Sequence, residues 1–583
     1  MRERPTGPSP ALLAVAAAAV LSIGWGAWLQ LRPRATSGSP GGEVAAGGGD
    51  GAAAEGAPVD AVAGDASAPG GGTEPTPAKL PPVGVRGSGT WDHDAPTDAR
   101  PASRASVCPD CDVVVVTVCS LRRDHTGPYA EASLTPSLDT LTKGAFRMDQ
   151  AWSASNFTLA SLTAVLTGRF GSSTGVTGWD KGLVADIPTM PEVLGYYGYR
   201  TGGFTTDAPS GFRPDYGLDR GFQHMEIIVP PRDNPDGRAQ GGDPGPGGAA
   251  AKPASAWISA QPKDKPIFVM FHTRTAHYPF VLEDDPSDPT GVTHLLFASD
   301  KLSAGTGPRA MPGAAGGTQQ RGVVSFFTRD PVQQGVREAG AAGTAMWRKR
   351  YAEGVHRLDR DFAVLAEGLK ARGRLDKTIL IVLADHGESI DDHKELLHGD
   401  AYYDGVTHIP MLVRIPGLKG GPQSSLVSQV DVLPTVLEAV GAVPPAGIDG
   451  ASMLPLFQGT TDTIRSTTLV EGGVVWHDDK VARGAVISPP WALLRQDPGC
   501  DGGDRRTPGQ PATCLYNLVD DPKQVKNQAL AKPEVVADLQ GRWDKFRAAH
   551  AQDAAQLQLD PAYIEELQKN GYDFRPQPAK AAP

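Results

Sequence analysis

Two seven-residue runs limit the kind of fold open to this chain. DVVVVTV (Asp112–Val118) and TILIVLA (Thr378–Ala384) consist almost wholly of β-branched and aliphatic residues, with no polar alternation. Each reads as a buried strand. Between and after them, helical and strand patterns alternate. MPEVLGYYGY (Met190–Tyr199) predicts a helix, RTGGFT a strand, and KPIFVMFHT (Lys265–Thr273) another strand. In MWRKRYAEGVHRLDRDFAVLAEGLKARG, Val355, Leu358, Phe362, Leu365 and Leu369 recur at helical spacing, and Gly373 ends the pattern. IPMLVRI then reads as a strand and VDVLPTVLEAVGA as a helix. This alternation predicts an α/β fold, a mostly parallel central sheet flanked by helices on both faces. The expected domain spans 107–550, with a small C-terminal subdomain from about 462 and a C-terminal tail at 551–583.

Outside those elements the chain changes character. Residues 11–31 carry no charge. A helix of that length, at ~1.5 Å per residue, spans the ~30 Å hydrocarbon layer of a membrane. Arg2 and Arg4 precede it and no clear small-residue cleavage site follows, which points to a signal-anchor transmembrane helix, with a cleaved signal peptide as the alternative. Either way the bulk of the chain is expected outside the cytoplasm. The localisation implied is a single-pass cell-membrane protein with a periplasmic or extracellular domain. Residues 35–106 are rich in Gly, Ala and Pro, bury too little apolar surface to order themselves, and read as a disordered tether. Two similar stretches, Pro230–Pro253 and about Glu283–Gly343, interrupt the folded region. Among 583 residues the net charge is −11 and the charged fraction 21%, a balance that argues against a nucleic-acid partner. Five cysteines suit an exported protein. A Cys500–Cys514 disulfide would close ~15 residues and stabilise by roughly 3 kcal/mol on the chain-entropy view. Cys108 and Cys111 (CPDC) are a second candidate pair, in a loop short enough to be strained.

Ligands of parallel sheets bind outside the carboxyl ends of strands, and three predicted strands end in reactive side chains. DVVVVTV runs into Cys119-Ser120-Leu121-Arg122, TILIVLA into Asp385-His386-Gly387-Glu388, and the IFVMFHT strand leads to His277. Asp385 and His386 offer a carboxylate and an imidazole to one divalent cation; alone, the pair reads equally as a cap and a loop histidine. His398 lies downstream on a polar loop. In SASNFTLASLTAVLTGR (Ser153–Arg169), Asn156 is placed to cap a helix that Gly168 closes. Thr158 would then stand at the helix N-terminus, where amides and the helix dipole favour an anion. A hydroxyl there is placed to attack a phosphoryl or sulfuryl centre once a metal or base activates it.

In order along the chain, these segments resemble the sulfatase-like branch of the alkaline phosphatase superfamily, over about Asp112 to Leu530. The family's first strand ends in Asp-x-Leu-Arg-x-Asp-His, and here Cys119 to His125 stand there. Its nucleophile segment resembles TLASLTAVLTGR from Thr158. Its Ser-Asp-His-Gly-Glu resembles Ala384 to Glu388, its His-Gly-x-x-x-Tyr the stretch from His398 to Tyr402 or Tyr403, and its Pro-His-x-Pro-Tyr the stretch Ala276 to Phe280. GLDRGF at Gly217, DVLPTVLEAVG at Asp431 and CLYNLVDDPKQVKN at Cys514 are lesser likenesses. The resemblance implies one divalent metal, Zn or Mn ahead of Ca or Mg, held by Asp385, His386 and Cys119. It implies Thr158 as nucleophile, with His277 and His398 contacting the transferring group or protonating the leaving oxygen. Arg122 would hold the first loop or neutralise charge.

Two departures shape the expected function. A formylglycine sulfatase converts Cys or Ser in a C/S-x-P-x-R context, whereas Thr158, Ala160 and Leu162 stand at those positions. The implied chemistry is therefore phosphoryl transfer through Thr158, as in superfamily branches such as envelope phosphoethanolamine transferases. Cys119 replaces the first metal acid. It is either a ligand in a zinc site, a neutral buried thiol beside a weakened site, or a disulfide partner of Cys108 or Cys111. The expected function is that of a membrane-anchored, metal-dependent hydrolase or transferase for phosphate or sulfate esters of the cell envelope. The alternative is an impaired pseudoenzyme of the same fold that binds an anionic envelope ligand or partner.

Overall fold

A computed structural model describes residues 106–206, 212–228, 248–278, 336, 340–472, 483–496, 499–501, 511–552 and 555–557. The membrane helix expected at 11–31, residues 35–105 of the expected tether, most of the two Gly/Pro-rich insertions and the tail beyond 557 lie outside the described residues. Among the described residues no helix is long and apolar enough to cross a membrane.

Eight strands form the central sheet: β1 (Asp112–Val118), β2 (Phe146–Trp152), β3 (Arg200–Thr205), β4 (His224–Ile227), β5 (Ile267–Thr273), β6 (Thr378–Ala384), β7 (Met411–Arg414) and β8 (Pro422–Ser428). Their spatial order is β8-β2-β7-β6-β1-β5-β3-β4. β1 lies between β6 and β5 and runs parallel to both. Helices α1 (Thr158–Thr167), α2 (Met190–Tyr196), α3 (Lys252–Ala260), α4 (Gly340–Arg372) and α5 (Val432–Val440) flank the sheet. Buried between neighbours and helices, every residue of β1 and β6 is out of water, which is why neither run alternates. β7 is antiparallel to both β2 and β6, so IPMLVRI joins the sheet against its direction. The carboxyl ends of β1, β2, β5 and β6 therefore share one edge.

Strands β9 (Thr468–Glu471), β10 (Gly484–Ser488), β11 (Trp491–Gln496) and β12 (Ala512–Asn517) make a separate antiparallel meander, the small C-terminal sheet. Helix α6 (Pro533–His550) lays Leu539 and Trp543 on Val486, Leu493 and Leu515 of that sheet. The Cys500–Cys514 disulfide ties its last strand to the preceding loop.

Several boundaries differ from expectation for local reasons. The helix expected to Tyr199 ends at Tyr196, because Gly198 turns the chain at φ +88° into β3. The strand expected from Lys265 begins at Ile267. α4 starts at Gly340, inside the stretch read as loose. Cys108 is bonded to Cys111, and Cys119 is a free, buried thiol, which removes the disulfide reading of Cys119.

Helix α4 grips β1 at both ends. At its carboxyl end, Arg372 Nε and Nη2 donate to Asp112 Oδ2 and Oδ1 at 2.6 and 3.0 Å, and Arg374 Nε adds a third bond to Oδ2 at 3.2 Å. The second Asp112 oxygen also accepts Ile267 N at 3.0 Å, which ties in β5. Earlier on α4, the Tyr351 hydroxyl donates to Ser120 O and accepts Arg122 N, both at 2.7 Å. The 21 steps from Tyr351 to Arg372 rise about 31 Å as helix, close to the roughly 26–33 Å that extended chain covers from Asp112 to Ser120 and Arg122.

Removing one partner of a buried pair leaves the other charge uncompensated, at a cost of about 3–5 kcal/mol. Asp112→Ala is therefore expected to lower unfolding free energy in urea by that amount. The Asp112→Ala/Arg372→Met double variant recovers part of it.

Candidate active site

The strand-end residues converge because β1 and β6 are paired with Val118 opposite Ala384. Cys119 and Asp385 thus leave the sheet side by side. Asp385 N donates to Val118 O (3.1 Å), and Cys119 N donates to Thr273 O of β5 (2.8 Å). Ser120 then turns the chain at φ +60°, a left-handed conformation that a non-glycine residue adopts at a cost of about 1–3 kcal/mol. Tyr351 holds that turn from both sides. As a result Ser120 N points at Asp385 Oδ1 (3.1 Å), which also accepts His386 N (2.6 Å). Asp385 Oδ2 is buried and accepts no hydrogen bond.

Thr158 opens α1, all ten residues of which are buried. Its N-cap residue is Phe157 and not Asn156, and no side chain caps the helix. Asn156 instead turns its amide away to Ala401 O at 3.2 Å. Thr158 Oγ1 stands 3.3 Å from Cys119 Sγ and 3.3 Å from His386 Nε2. Donor atoms of Cys119, Asp385 and His386 all lie within 4.8 Å of one another, so small side-chain shifts bring them around one ion at about 2.0–2.3 Å.

Two details of this chain fit a metal. Asp385 Oδ2 is buried with no hydrogen-bond donor among the described residues, and His386 Nε2 stands 3.5 Å from it. His386 Nδ1 lies 2.8 Å from Gly387 O, a pure acceptor, so Nδ1 carries the proton and Nε2 presents its lone pair. Burial, outweighing the attraction of Asp385, lowers the His386 pKa to about 4, which leaves the imidazole uncharged at physiological pH, the form a metal ion takes.

His398 and His277 continue the row. The His398 ring is 4.1 Å from His386 between centroids and 5.1 Å from His277. His398 Nδ1 lies 3.1 Å from Glu388 Oε1 and 3.3 Å from Ser120 Oγ. Since a carboxylate only accepts, Nδ1 is its donor and Nε2 faces away. His277 Nδ1 contacts Tyr278 O, and Arg274 Nη2 lies 2.9 and 3.2 Å from its two ring nitrogens. Burial first, then the Arg274 guanidinium, holds the His277 pKa well below the usual histidine value. Arg122 is occupied elsewhere: its guanidinium pairs with Asp124 at 2.6 Å and Asp392 at 2.5 Å and donates to Glu388 O at 2.7 Å. Burial opposes its charge, and those two carboxylates overcome the penalty and hold its pKa above normal.

The structure thus gathers Cys119, Thr158, Asp385, His386, His398 and His277 at one sheet edge and leaves Arg122 bracing the loop beneath. Ser120, Glu388, Tyr351 and Arg274 had no assigned part in the sequence reading. Glu388 had a signal there, as the next polar residue after Asp385-His386; Tyr351 had none.

The phosphonate monoester hydrolase of Agrobacterium radiobacter superposes with TM-score 0.55 at 19% identity, covering 76% of this chain and 96% of that one. A 2-O GAG sulfatase superposes equally well, at 17% identity over 78% and 96%. At such identities the likeness is one of fold. The sulfatase family model matches residues 112–442, more than half of the chain, and the chain belongs to that family. Arylsulfatase K of Canis lupus familiaris is 30% identical over 197 residues, 30% of this chain and 33% of that protein. Its Mus musculus counterpart is 36% identical over 197 residues, 30% and 32%. The matched stretch spans about a third of those relatives' length.

One buried acid supports the strand end that carries His277. Asp361 Oδ2 of α4 accepts Thr275 Oγ1 (2.6 Å) and Thr273 Oγ1 (3.2 Å), with Arg357 nearby. Burial raises its pKa to about 6. A raised folded-state value means that its contribution is full below the unfolded pKa of 3.8 and is lost as pH rises through about 6. Asp361→Asn cannot ionise. The stability of wild type relative to this variant is expected to fall by about 2 kcal/mol between pH 4 and pH 7, read by denaturant melts.

Proposed function

We propose that this protein is a metal-dependent hydrolase or transferase of phosphate or sulfate esters that uses Thr158 as its nucleophile. The observation that carries this reading is the Thr158 hydroxyl, 3.3 Å from both Cys119 Sγ and His386 Nε2, at the uncapped start of α1. Cys119, Asp385 and His386 would hold one divalent ion, and the thiolate favours Zn, with Mn next, over Ca or Mg. Such an ion, when bound, lowers the hydroxyl's pKa and offsets charge on the ester oxygens. Thr158 Oγ1 gives up its proton to water and attacks the phosphorus or sulfur, and the bond to the leaving oxygen breaks. The α1 amides hold the anion. His398, oriented by its Nδ1 bond to the Glu388 carboxylate, gives a proton to the leaving oxygen. Water or an acceptor alcohol then takes the group from Thr158.

Phosphoryl transfer is the better-supported branch. Thr158, Ala160 and Leu162 occupy the positions where formylglycine formation needs Cys or Ser, Pro and Arg, and the Leu162 side chain is fully buried in α1. The uncharged run at 11–31 supports membrane attachment, with the site on the periplasmic or extracellular side and its substrate in the cell envelope. One observation favours a second reading, an impaired fold that binds an anionic envelope ligand: the acid expected first in the metal set is Cys119.

Thr158→Ala is expected to reduce turnover of an aryl phosphate, a phosphodiester or a sulfate ester, with Zn²⁺ or Mn²⁺ added, by at least about 10³-fold; unchanged turnover removes Thr158 from its role. Elemental analysis of the purified protein is expected to find about one metal equivalent, lost in Cys119→Ser. A metal-free, inactive wild type supports the binder instead.

A further inference from the structure

A single hydroxyl on α4 fastens both sides of the turn that leads out of β1. Tyr351 is fully buried, and its oxygen donates to Ser120 O and accepts Arg122 N, each at 2.7 Å, so it holds the two peptide units that flank Leu121. Burial keeps its pKa well above the usual phenol value, and the hydroxyl therefore retains the proton it donates. Ser120 lies past the end of β1 at φ +60°, a conformation that glycine takes readily and serine does not. No regular element contains it: β1 ends at Val118, and the next helical turn begins at Arg123. Such a conformation persists where its surroundings over-determine it.

The turn decides how Asp385 is oriented. Ser120 N and His386 N both donate to Oδ1, at 3.1 and 2.6 Å, and this commits that oxygen. The other oxygen faces His386 Nε2 at 3.5 Å, and the same nitrogen lies 3.3 Å from Thr158 Oγ1. Arg122 is anchored downstream by Asp392 at 2.5 Å and Glu388 O at 2.7 Å. With the chain fixed there, a return of Ser120 to negative φ has to rotate the peptide between Cys119 and Ser120. That rotation would carry the Ser120 amide off Asp385 Oδ1 and move Cys119 with it. The two bonds of Tyr351 oppose it.

We propose that Tyr351 is a positioning residue for a metal ion at Cys119, Asp385 and His386: by holding Ser120 in its left-handed turn, it keeps the Ser120 amide on Asp385 Oδ1 and so presents Oδ2, with Cys119 and His386, in the arrangement that an ion binds. This deepens the metal-dependent reading of the site and rests on it. Groups that orient a metal's ligands from outside typically account for roughly ten- to hundredfold of its affinity.

The test is competition for Zn²⁺ between the full chain and a chromophoric chelator, for wild type, Tyr351→Phe, Ser120→Thr and the Tyr351→Phe/Ser120→Gly double variant, with a thermal melt of each metal-free protein. Tyr351→Phe, which removes only the hydroxyl, is expected to weaken Zn²⁺ binding at least about tenfold. The double variant is expected to recover most of that loss, since glycine takes a positive φ unaided. Ser120→Thr, whose branched Cβ disfavours that φ, is expected to lose affinity in the same way, and it decides the matter if Tyr351→Phe does not fold. A lower melting temperature with Zn²⁺ affinity equal to wild type makes Tyr351 a structural bolt and overturns the proposal, as does a double variant that binds no better than Tyr351→Phe. A wild type that binds no Zn²⁺ overturns the metal reading and the role of Tyr351 together. Zn²⁺ binding that follows the expected pattern, in a protein that turns over no phosphate or sulfate ester, sinks the ester-hydrolase reading and leaves Tyr351 in place.

Discussion

The site depends on the register between two neighbouring strands. Val118 of β1 lies opposite Ala384 of β6, and Val118 also lies opposite Thr273 of β5. Because side chains alternate along a strand, a slip of one residue would send Cys119 or Asp385 to the wrong face and separate the donors. Three parallel strands in this register deliver a thiol, a carboxylate with its histidine, and the Arg274–His277 segment to one edge. The start of α1 then brings Thr158 into the same space.

Maintaining that register costs conformational strain, and α4 is the element that absorbs it. Ser120 sits at φ +60° so that its amide can reach Asp385 Oδ1, and this leaves Oδ2 for another partner. Tyr351 on α4 fastens the carbonyl of Ser120 and the amide of Arg122. Arg372, six turns further along the same helix, fastens Asp112 at the other end of the strand. Arg122 adds a brace from the following loop to Asp392 and Glu388 O, so its charge serves the loop's geometry before it serves a substrate.

Much of this was legible from the chain. The unalternating runs in β1 and β6 fix their burial, and their polar tips mark the edge where donors gather. Asp385, His386, Cys119 and His277 could be named because they follow strands, Thr158 because it opens a helix, and His398 because its stretch resembles a motif of the sulfatase-like family. What remained hidden was long-range or conformational. Tyr351 and Ser120 are 231 residues apart, and no local pattern announces their bond. The positive φ of Ser120 carries no glycine to signal it. Asn156 looked like a cap because caps are read from residue type, whereas its amide is taken by a carbonyl at Ala401. The direction of β7 is set by its neighbours, and its own Met411, Leu412 and Val413 suit either direction.

The central claim is that Cys119, Asp385 and His386 share one cation beside Thr158. An anomalous difference map at the zinc absorption edge, from crystals grown with Zn²⁺, tests it directly. The account predicts a single strong peak within bonding distance of Cys119 Sγ, Asp385 Oδ2 and His386 Nε2. A map with no peak there, or with zinc bound by other residues while Cys119 stays protonated and packed, contradicts it.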